Sequence, residues 1–290
     1  MNTQLCNTPL RNLMLPGKAN YYCKTSGIDN IDQCWDKEWF ELYPYEVAYQ
    51  YNSRGFRDTE WPTSVTELKE SIWCIGDSFT VGIGNSFDHT WPQLLQKDTG
   101  CRTINIGMDG ASNDYIANRT IEIANEICPK IIVLQWSFLH RRESSQVDGD
   151  YEFKRILCTR EDTFETDYNN FVENLNKVNA VVSGKCRVIH SIIPDGFVPP
   201  AYRHGRIIDS QERSKWSFHV IGPNGFIGWF NWGEMSQQTY DDHNHIYYRY
   251  KKLINEYNII ALSTHDRARD GYHYGIKTAQ MFVDQITTML

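Results

Sequence analysis

The sequence lacks the long apolar runs that mark membrane proteins and their targeting signals. No window approaches the roughly 18 consecutive apolar residues that a membrane-spanning helix requires. Residues 1–20 contain no apolar stretch behind a basic patch, so we expect no secretory signal peptide. The sequence therefore predicts a soluble protein, either cytoplasmic or associated with a virus particle.

Blocks of basic residues are absent as well. Lysine and arginine total 29 against 36 aspartates and glutamates, which gives a net charge of −7. Because phosphate contacts need clustered cations, this balance argues against a nucleic-acid partner. There is no internal repeat, and with 41% hydrophobic residues the 290-residue chain can bury the core of one large domain.

Cysteines are few and irregularly spaced, with eight in 290 residues, so the sequence does not indicate a disulfide framework. Four lie in or beside apolar runs, where a free thiol behaves as a small hydrophobe. These four are Cys74, Cys101, Cys128 and Cys186. The candidates for exceptions lie in the irregular N-terminal region and are Cys6, Cys23 and Cys34.

What the sequence does contain is a regular alternation of apolar runs and helix-like segments. Five short apolar runs predict buried parallel strands. They cover Ser71–Ile75, Thr103–Ile106, Ile131–Gln135, Arg187–Ile193 and Asn258–Leu262. Apolar residues at helical spacing predict the helices. These cover Trp91–Gln96, Ser112–Ile127, Phe164–Val182, Tyr240–Tyr257 and Ile276–Met289. The alternation predicts an α/β protein, a three-layer α/β/α domain with a flavodoxin-like five-stranded parallel sheet that binds ligands at the carboxyl ends of its strands.

Two regions do not follow this alternation. Residues 1–70 are rich in aromatic and turn residues with little periodicity, and we expect an irregular extension that packs on the domain. Residues 195–238 contain Pro199-Pro200 and three tryptophans. A segment of that length without periodicity is uncommon unless it is functional. The sequence therefore predicts one domain over 71–290 with a long insertion, 195–238, after the fourth strand.

The most informative short motif lies directly after the first predicted strand. Gly76-Asp77-Ser78-Phe79 puts a serine hydroxyl at the end of a buried strand, where nucleophiles lie in open α/β sheets. Far along the chain, Asp270-Gly271-Tyr272-His273 supplies a carboxylate and an imidazole. Taken singly, Ser78 could cap a helix and His273 could be a surface residue. Together, serine, histidine and aspartate predict an acyl-transfer site, because imidazole is a suitable base for a serine hydroxyl at neutral pH.

These motifs resemble those of the SGNH, or GDSL-type, hydrolase superfamily. Gly76-Asp77-Ser78-Phe79 is similar to the family's first block, Asn105-Ile106-Gly107-Met108-Asp109-Gly110 to its second and Asp270-Gly271-Tyr272-His273 to its last. The segment Asn52-Ser53-Arg54-Gly55-Phe56-Arg57 resembles one that often precedes the first block in bacterial members. The matches occur in the family's order over residues 52–275.

The resemblance implies roles for particular residues. Ser78 would be the nucleophile, His273 the general base and Asp270 the carboxylate that orients the base. The backbone N–H groups of Ser78 and Gly110 would donate to the oxyanion that forms in acyl transfer. Asp77 is expected to bond the backbone of its own turn rather than take part in the chemistry.

The sequence departs from the family where a third oxyanion donor is expected. The family's third block usually carries asparagine in a Gly-x-Asn-Asp motif, whereas the third strand here is followed by Trp136-Ser137-Phe138-Leu139-His140-Arg141. Ser137 lies where that block belongs, and Asn113 offers an amide but could equally cap a helix. Arg141 is a further candidate, and the donor stays open among these three.

Aromatic and basic residues near the strand ends or in the insertion are candidate substrate contacts. They are Trp136, Arg141, Trp229 and Trp232. The two tryptophans of the insertion could stack on a sugar ring or pack the insertion onto the domain. A metal site at Asp241-Asp242-His243-Asn244-His245 is disfavoured, because a helix N-terminus favours acidic residues in any case and histidines two apart do not share a helix face. We expect neither a metal nor another cofactor.

The predicted function is that of a serine esterase. It would hydrolyse a small acyl ester, such as an acetyl group on a carbohydrate, through an acyl-serine intermediate, so its partner is a small-molecule or glycan ester. An O-acyltransferase, the first alternative, would use the same three residues with a sugar hydroxyl as acceptor. The second is a non-catalytic glycan-binding or virion structural protein, which has no chemical reason to keep all three residues.

Overall fold

A computed structural model of the chain describes residues 46–139, 141–143, 164–194 and 248–290 continuously. Residues 40–41 and 43 are also described, together with short strand segments of the rest of the chain. These segments lie at 27–28, 155–156, 202–203, 206–207, 219–222 and 225–228. The greater part of the insertion 195–238 and the segment 241–245 lie outside the described residues.

One parallel sheet of five strands forms the centre of the fold. The strands are β1 (Ile72–Ile75), β2 (Thr103–Asn105), β3 (Ile131–Trp136), β4 (Arg187–Ile192) and β5 (Ile260–Ala261). Their order across the sheet is β2-β1-β3-β4-β5, and every neighbouring pair is parallel. This is the flavodoxin-like order, in which the direction of winding reverses between β1 and β3. The predicted sheet is confirmed, with strand ends shifted by one or two residues.

Seven helices belong to the described part of this domain. They are α1 (Val65–Glu70), α2 (Ser78–Val81), α3 (Trp91–Thr99), α4 (Asn113–Glu126), α5 (Phe164–Val182), α6 over 248–257 and α7 (Ile276–Met289). A 3-10 turn covers Phe87–His89. Helix α4 contacts α5, and α3 contacts α7. Right-handed crossovers that wind in opposite directions put these two pairs on opposite faces of the sheet, which gives the predicted three layers.

Apolar burial explains why these segments take their forms. Strand β1 is buried along its whole length because helices cover both faces of the sheet. On α4 the buried side chains recur every three or four residues, at Ile116, Thr120 and Ile123. The helix begins where Ser112 caps it, with the serine Oγ accepting a hydrogen bond from the backbone N–H of Tyr115.

Among the described residues, four two-stranded antiparallel pairs lie outside the central sheet. They join Gly27–Ile28 to Ala48–Tyr49, Arg142–Glu143 to Arg155–Ile156, Tyr202–Arg203 to Arg206–Ile207, and His219–Gly222 to Gly225–Gly228. Helix prediction over Tyr240–Tyr257 is confirmed for 248–257, the part that is described. The division into an extension over 1–70 and a domain over 71–290 stays a prediction.

Two further expectations concern thiols and membranes. Cys74, Cys101, Cys128 and Cys186 are all free thiols, as predicted, whereas Cys6, Cys23 and Cys34 lie outside the described residues. None of the helices in the described ranges has the length and apolar character that a membrane crossing requires.

Candidate active site

The turn after β1 holds Ser78 at the start of α2. Asp77 caps this four-residue helix, with its Oδ1 accepting a hydrogen bond from the backbone N–H of Phe79 at 3.0 Å. This confirms the expectation that Asp77 bonds its own turn. Gly76 is required by close approach, because a Cβ added there would lie 2.1 Å from Oγ1 of Thr80. Glycine, aspartate and serine in this order therefore build a tight strand-to-helix turn that ends in a serine hydroxyl.

Ser78, His273 and Asp270 lie in one hydrogen-bonded row. Nε2 of His273 is 2.8 Å from Oγ of Ser78, and Nδ1 of His273 is 2.5 Å from Oδ2 of Asp270. Because an ionised carboxylate only accepts hydrogen bonds, Nδ1 carries the proton and Nε2 is left to accept the serine proton. The exposed fraction is 2% for Ser78 and 6% for His273. The structure thus brings Ser78 together with a loop much later in the sequence, 195 positions away at His273.

Asp270 both orients the imidazole and shapes its own loop. Its Oδ1 accepts hydrogen bonds from the backbone N–H groups of Tyr272 and His273, each at 3.1 Å. Burial alone would raise the pKa of Asp270. The charge of His273 and the hydrogen bonds from its ring and from the two backbone N–H groups outweigh burial, so the pKa of Asp270 is lowered. The carboxylate is therefore ionised and can stabilise an imidazolium.

Backbone donors lie in two adjacent loops at this edge of the sheet. The loop after β2 runs against the nucleophile turn, where the Met108 N–H donates to the Gly76 carbonyl at 3.0 Å. Gly110 follows in that loop with a φ of 71°. Within the described part of the chain, the N–H groups of Ser78 and Gly110 donate no hydrogen bond. Neither N–H group is therefore engaged by the residues that the structure describes.

A buried cluster connects the nucleophile turn to the loop after β3. Oδ2 of Asp77 accepts hydrogen bonds from Oγ of Ser137 at 2.5 Å and from Nη1 of Arg141 at 2.9 Å. The same Nη1 donates to Oγ of Ser137 at 3.1 Å. Asp77 and Ser137 are fully buried, and Arg141 is 7% exposed. Its guanidinium lies over the ring of Phe138, 5.0 Å from the centroid.

The contacts of Ser137 and Asn113 bear on their assignment as oxyanion donors. The hydroxyl proton of Ser137 is engaged by the Asp77 carboxylate. Oδ1 of Asn113 accepts from the Ser137 N–H at 2.9 Å, and its Nδ2 donates to the Phe138 carbonyl at 3.0 Å. The single hydroxyl proton of Ser137 is therefore not available to a reacting oxygen, whereas one of the two N–H groups of the Asn113 amide holds the loop in place. Both side chains hold the loop after β3 in place.

The predicted substrate contacts have mixed outcomes. Trp136 is fully buried, with its Nε1 donating to Nδ1 of His190 at 3.2 Å, so its assignment to substrate binding is corrected. It is a core residue because it lies within β3 and stacks on a histidine of the neighbouring strand. Arg141 is paired with Asp77. Trp229 and Trp232 lie outside the described residues.

A group of aromatic side chains next to His273 was not predicted from the sequence. The ring of Phe79 lies 4.6 Å from the His273 ring, measured between centroids. It also lies 6.2 Å from Phe138 and 6.1 Å from Tyr272. Tyr272 is 38% exposed, so it forms the open side of this group. Its position within the Asp270 to His273 motif could have signalled a rim residue.

A second missed feature is the polar link behind the site. Nε2 of Gln135 donates to the Tyr274 hydroxyl at 3.1 Å, and Oγ1 of Thr80 donates to Oε1 of Gln135 at 3.1 Å. These bonds connect the end of β3, helix α2 and the residue that follows His273. Burial raises the pKa of Tyr274, so its phenol keeps its proton. The link thus connects the helix that begins at Ser78 with the loop that carries His273.

The segment over 52–57 acquires a structural role through Arg57. This side chain is 1% exposed and donates only to carbonyl groups in the bonds described. Nη1 reaches Gly82 at 2.5 Å and Val81 at 3.3 Å, and Nη2 reaches Asn85 at 2.7 Å and Ala48 at 3.1 Å. A cation at the C-terminal end of α2 satisfies carbonyls that a helix leaves unpaired. Arg57 therefore holds the C-terminal end of the helix that begins at Ser78.

Among known proteins, this chain is similar to several solved structures. No family model and no curated protein matches the chain. A member of the lipolytic protein G-D-S-L family from Veillonella parvula is similar, at 13% identity and a TM-score of 0.38, over 75% of this chain and 96% of that one. The psychrotrophic esterase EstA from Pseudoalteromonas sp. is similar at 13% identity and a TM-score of 0.39, over 76% of this chain and 95% of that one. The acetyl xylan esterase AlAXEase is similar at 16% identity and a TM-score of 0.37, over 76% of this chain and 99% of that one. At these values the roles of the residues rest on the geometry of this chain.

Proposed function

We propose that this chain, which has the fold and the motif order of the SGNH-type hydrolases, is a serine esterase that cleaves a small acyl ester. The observation that carries the proposal is the row of contacts from Ser78 through His273 to Asp270, at 2.8 and 2.5 Å. A nucleophile, a base that contacts it and a carboxylate that orients the base are the parts that acyl transfer needs.

Acylation begins when Oγ of Ser78 attacks the ester carbonyl carbon. Nε2 of His273 takes the hydroxyl proton as the Oγ–C bond forms, and the ionised Asp270 stabilises the resulting imidazolium. The carbonyl oxygen becomes an oxyanion. When the C–O bond to the alcohol breaks, the imidazolium gives its proton to the leaving oxygen. An acyl-serine remains, and the alcohol departs.

Deacylation repeats the same proton transfers with water. Nε2 of His273 takes a proton from water as the water oxygen attacks the acyl carbon. The second tetrahedral intermediate collapses, the acid is released, and Oγ of Ser78 recovers its proton from the imidazolium. The N–H groups of Ser78 and Gly110 serve as oxyanion donors in both halves, because neither makes a hydrogen bond within the described residues.

Burial around the nucleophile supports a small acyl group. Ser78 exposes only 2% of its surface, and the ring of Phe79 lies against the imidazole. We take this low exposure as support for an acetyl group rather than a long acyl chain. The exposed ring of Tyr272, next to the base, supports a carbohydrate as the alcohol, because aromatic faces stack on sugar rings. We extend the proposal to an acetyl ester of a carbohydrate on these two grounds.

The test is covalent labelling with a fluorophosphonate, followed by peptide mapping. We expect one adduct, on Ser78, because it alone among the described serines contacts a histidine that a carboxylate orients. The matched control is Ser86, whose Oγ lies 2.8 Å from Nδ1 of His89. Ser78→Ala should abolish labelling and lower kcat by at least roughly a thousandfold, whereas Ser86→Ala should change neither. Labelling at another serine, or none in folded protein, would contradict the proposal.

Hydrolysis and transfer are separated by following the acyl group. With p-nitrophenyl acetate and a mixture of simple sugars, an esterase releases free acetate and leaves the sugars unmodified. Acetylated sugar in excess of free acetate would identify an O-acyltransferase that uses the same residues. Both measurements use one incubation, resolved by mass spectrometry.

A further inference from the structure

A buried negative charge lies one residue from the proposed nucleophile. The carboxylate of Asp77 is fully buried and accepts hydrogen bonds from Phe79, Ser137 and Arg141. Its field reaches Tyr274 behind the site. Burial raises the pKa of Tyr274, and the charge of Asp77 raises it further. The question is how an oxyanion can form beside this charge.

The repulsion between two such charges is large enough to decide the rate. A carboxylate and an alkoxide about 6 Å apart, at an effective dielectric constant of about 20, repel enough to slow a reaction on the order of a hundredfold. The N–H groups of Ser78 and Gly110 would then work against the charge of Asp77. A cation held on the carboxylate removes this opposition.

We infer that Arg141 is a positioning residue that neutralises Asp77 and so allows the oxyanion to form next to Ser78. The inference rests on the proposed esterase function. Nη1 of Arg141 contacts Oδ2 of Asp77 at 2.9 Å, and the guanidinium is held over the ring of Phe138. The Arg141 backbone is fixed as well, since its carbonyl accepts from the Asn113 N–H at 2.9 Å. The chain thus holds a cation at the carboxylate in the loop where the related family usually carries an asparagine.

Stability alone does not account for this arginine. Within the described residues its Nε is buried without a hydrogen-bond partner, and such an unpaired donor opposes folding. A buried ion pair is in general weak evidence for stability, because desolvation offsets the attraction. The neighbouring Arg142 forms the natural comparison, since it lies 3.7 Å from the buried Asp167 but in a pair that does not involve the nucleophile turn.

The test compares Arg141→Gln with the double variant Asp77→Asn/Arg141→Gln, using p-nitrophenyl acetate. Arg141→Gln leaves the carboxylate without its cation and should lower kcat on the order of a hundredfold with little change in KM. The double variant removes the charge itself, while asparagine keeps the helix cap. It should recover at least about tenfold of the lost kcat. Arg142→Gln is the control for loss of a cation from this loop and should keep the wild-type kcat.

Recovery in the double variant supports the inference, because a merely structural role would lower the melting temperature in both variants without restoring kcat. No recovery overturns it and indicates that the guanidinium itself donates to the substrate. If Arg141→Gln does not fold, Arg141→Lys carries the test: kcat within about tenfold of the wild type supports neutralisation, and a hundredfold loss overturns it. Wild-type protein that neither hydrolyses the ester nor takes a fluorophosphonate on Ser78 would overturn the proposed function and this inference together.

Discussion

Acid is expected to destabilise the fold through His190, a residue of β4 that is 5% exposed. Its Nδ1 accepts a hydrogen bond from Nε1 of Trp136 at 3.2 Å, and its Nε2 donates to Oδ1 of Asn179 at 3.0 Å. Both ring nitrogens are thus used by the neutral tautomer. Burial lowers the pKa of His190 to about 4, because a charged imidazole would lose its hydration.

The magnitude follows from proton linkage. In the unfolded chain the imidazole binds a proton below a pKa of about 6.5, whereas in the folded protein it does so only below about 4. Acidification between these two values therefore favours the unfolded state. The contribution of His190 to the free energy of unfolding is fully present above pH 6.5. About 2 kcal/mol of it is lost by pH 5, and about 3 kcal/mol at the acid limit.

Urea unfolding at a series of pH values from 7.5 to 4.5 measures this loss. His190→Gln can keep an acceptor toward Trp136 and a donor toward Asn179, but it does not titrate. The variant should therefore show a shallower fall in the free energy of unfolding, by about 2 kcal/mol between pH 7.5 and pH 5. His265→Gln, at an exposed histidine, should keep the wild-type slope. Parallel curves for wild type and His190→Gln would refute the reasoning.

Two further predictions test the loop around the base and the buried thiols. Gly84→Ala should lower kcat at least about tenfold, because the new Cβ would lie 2.8 Å from Oδ1 of Asp270. The control is Gly100→Ala, which has a similar positive φ but no atom within 4 Å of the new Cβ, so its kcat should be unchanged. Equal effects of the two variants on kcat would count against the clash with Asp270. A maleimide should label the exposed Cys101 in the native protein and Cys74 only after unfolding. Cys74 is protected because it is fully buried and because burial raises the pKa of its thiol. Peptide mapping that finds both cysteines labelled equally in the native protein would contradict this prediction.

Local periodicity was sufficient for most of the fold. The bounds predicted for Phe164–Val182 and Ile276–Met289 coincide with those of α5 and α7, because each helix buries one long apolar stripe. Helices α1 and α2 were missed, since six and four residues are too few to show a helical period. In α1 only Leu68 is buried, so the segment offers no repeating signal.

The meeting of Ser78, His273 and Asp270 could be predicted because each motif carries its own local signature. Serine follows a strand, and aspartate and histidine share one short loop, so the sheet edge brings them together without any detail of packing. Trp136 could not be assigned in the same way. Whether a tryptophan at the end of a strand faces substrate or core depends on its partner in the adjacent strand, here His190, 54 positions away.

The loop after β3 illustrates why donor chemistry alone does not identify an oxyanion donor. Ser137, Asn113 and Arg141 all carry suitable N–H or O–H groups, and residue type gave no reason to exclude any of them. The need of Asp77 for partners accounts for two of them, Ser137 and Arg141. A carboxylate buried in a tight turn requires partners, and a buried charge requires an opposite charge. Arg141 supplies the opposite charge, and the Asp77 carboxylate also accepts the hydrogen bond of the Ser137 hydroxyl. The two backbone N–H groups that donate no bond within the described residues, those of Ser78 and Gly110, stay the proposed donors for the oxyanion. Arg141 is proposed to act on the oxyanion through the charge of Asp77.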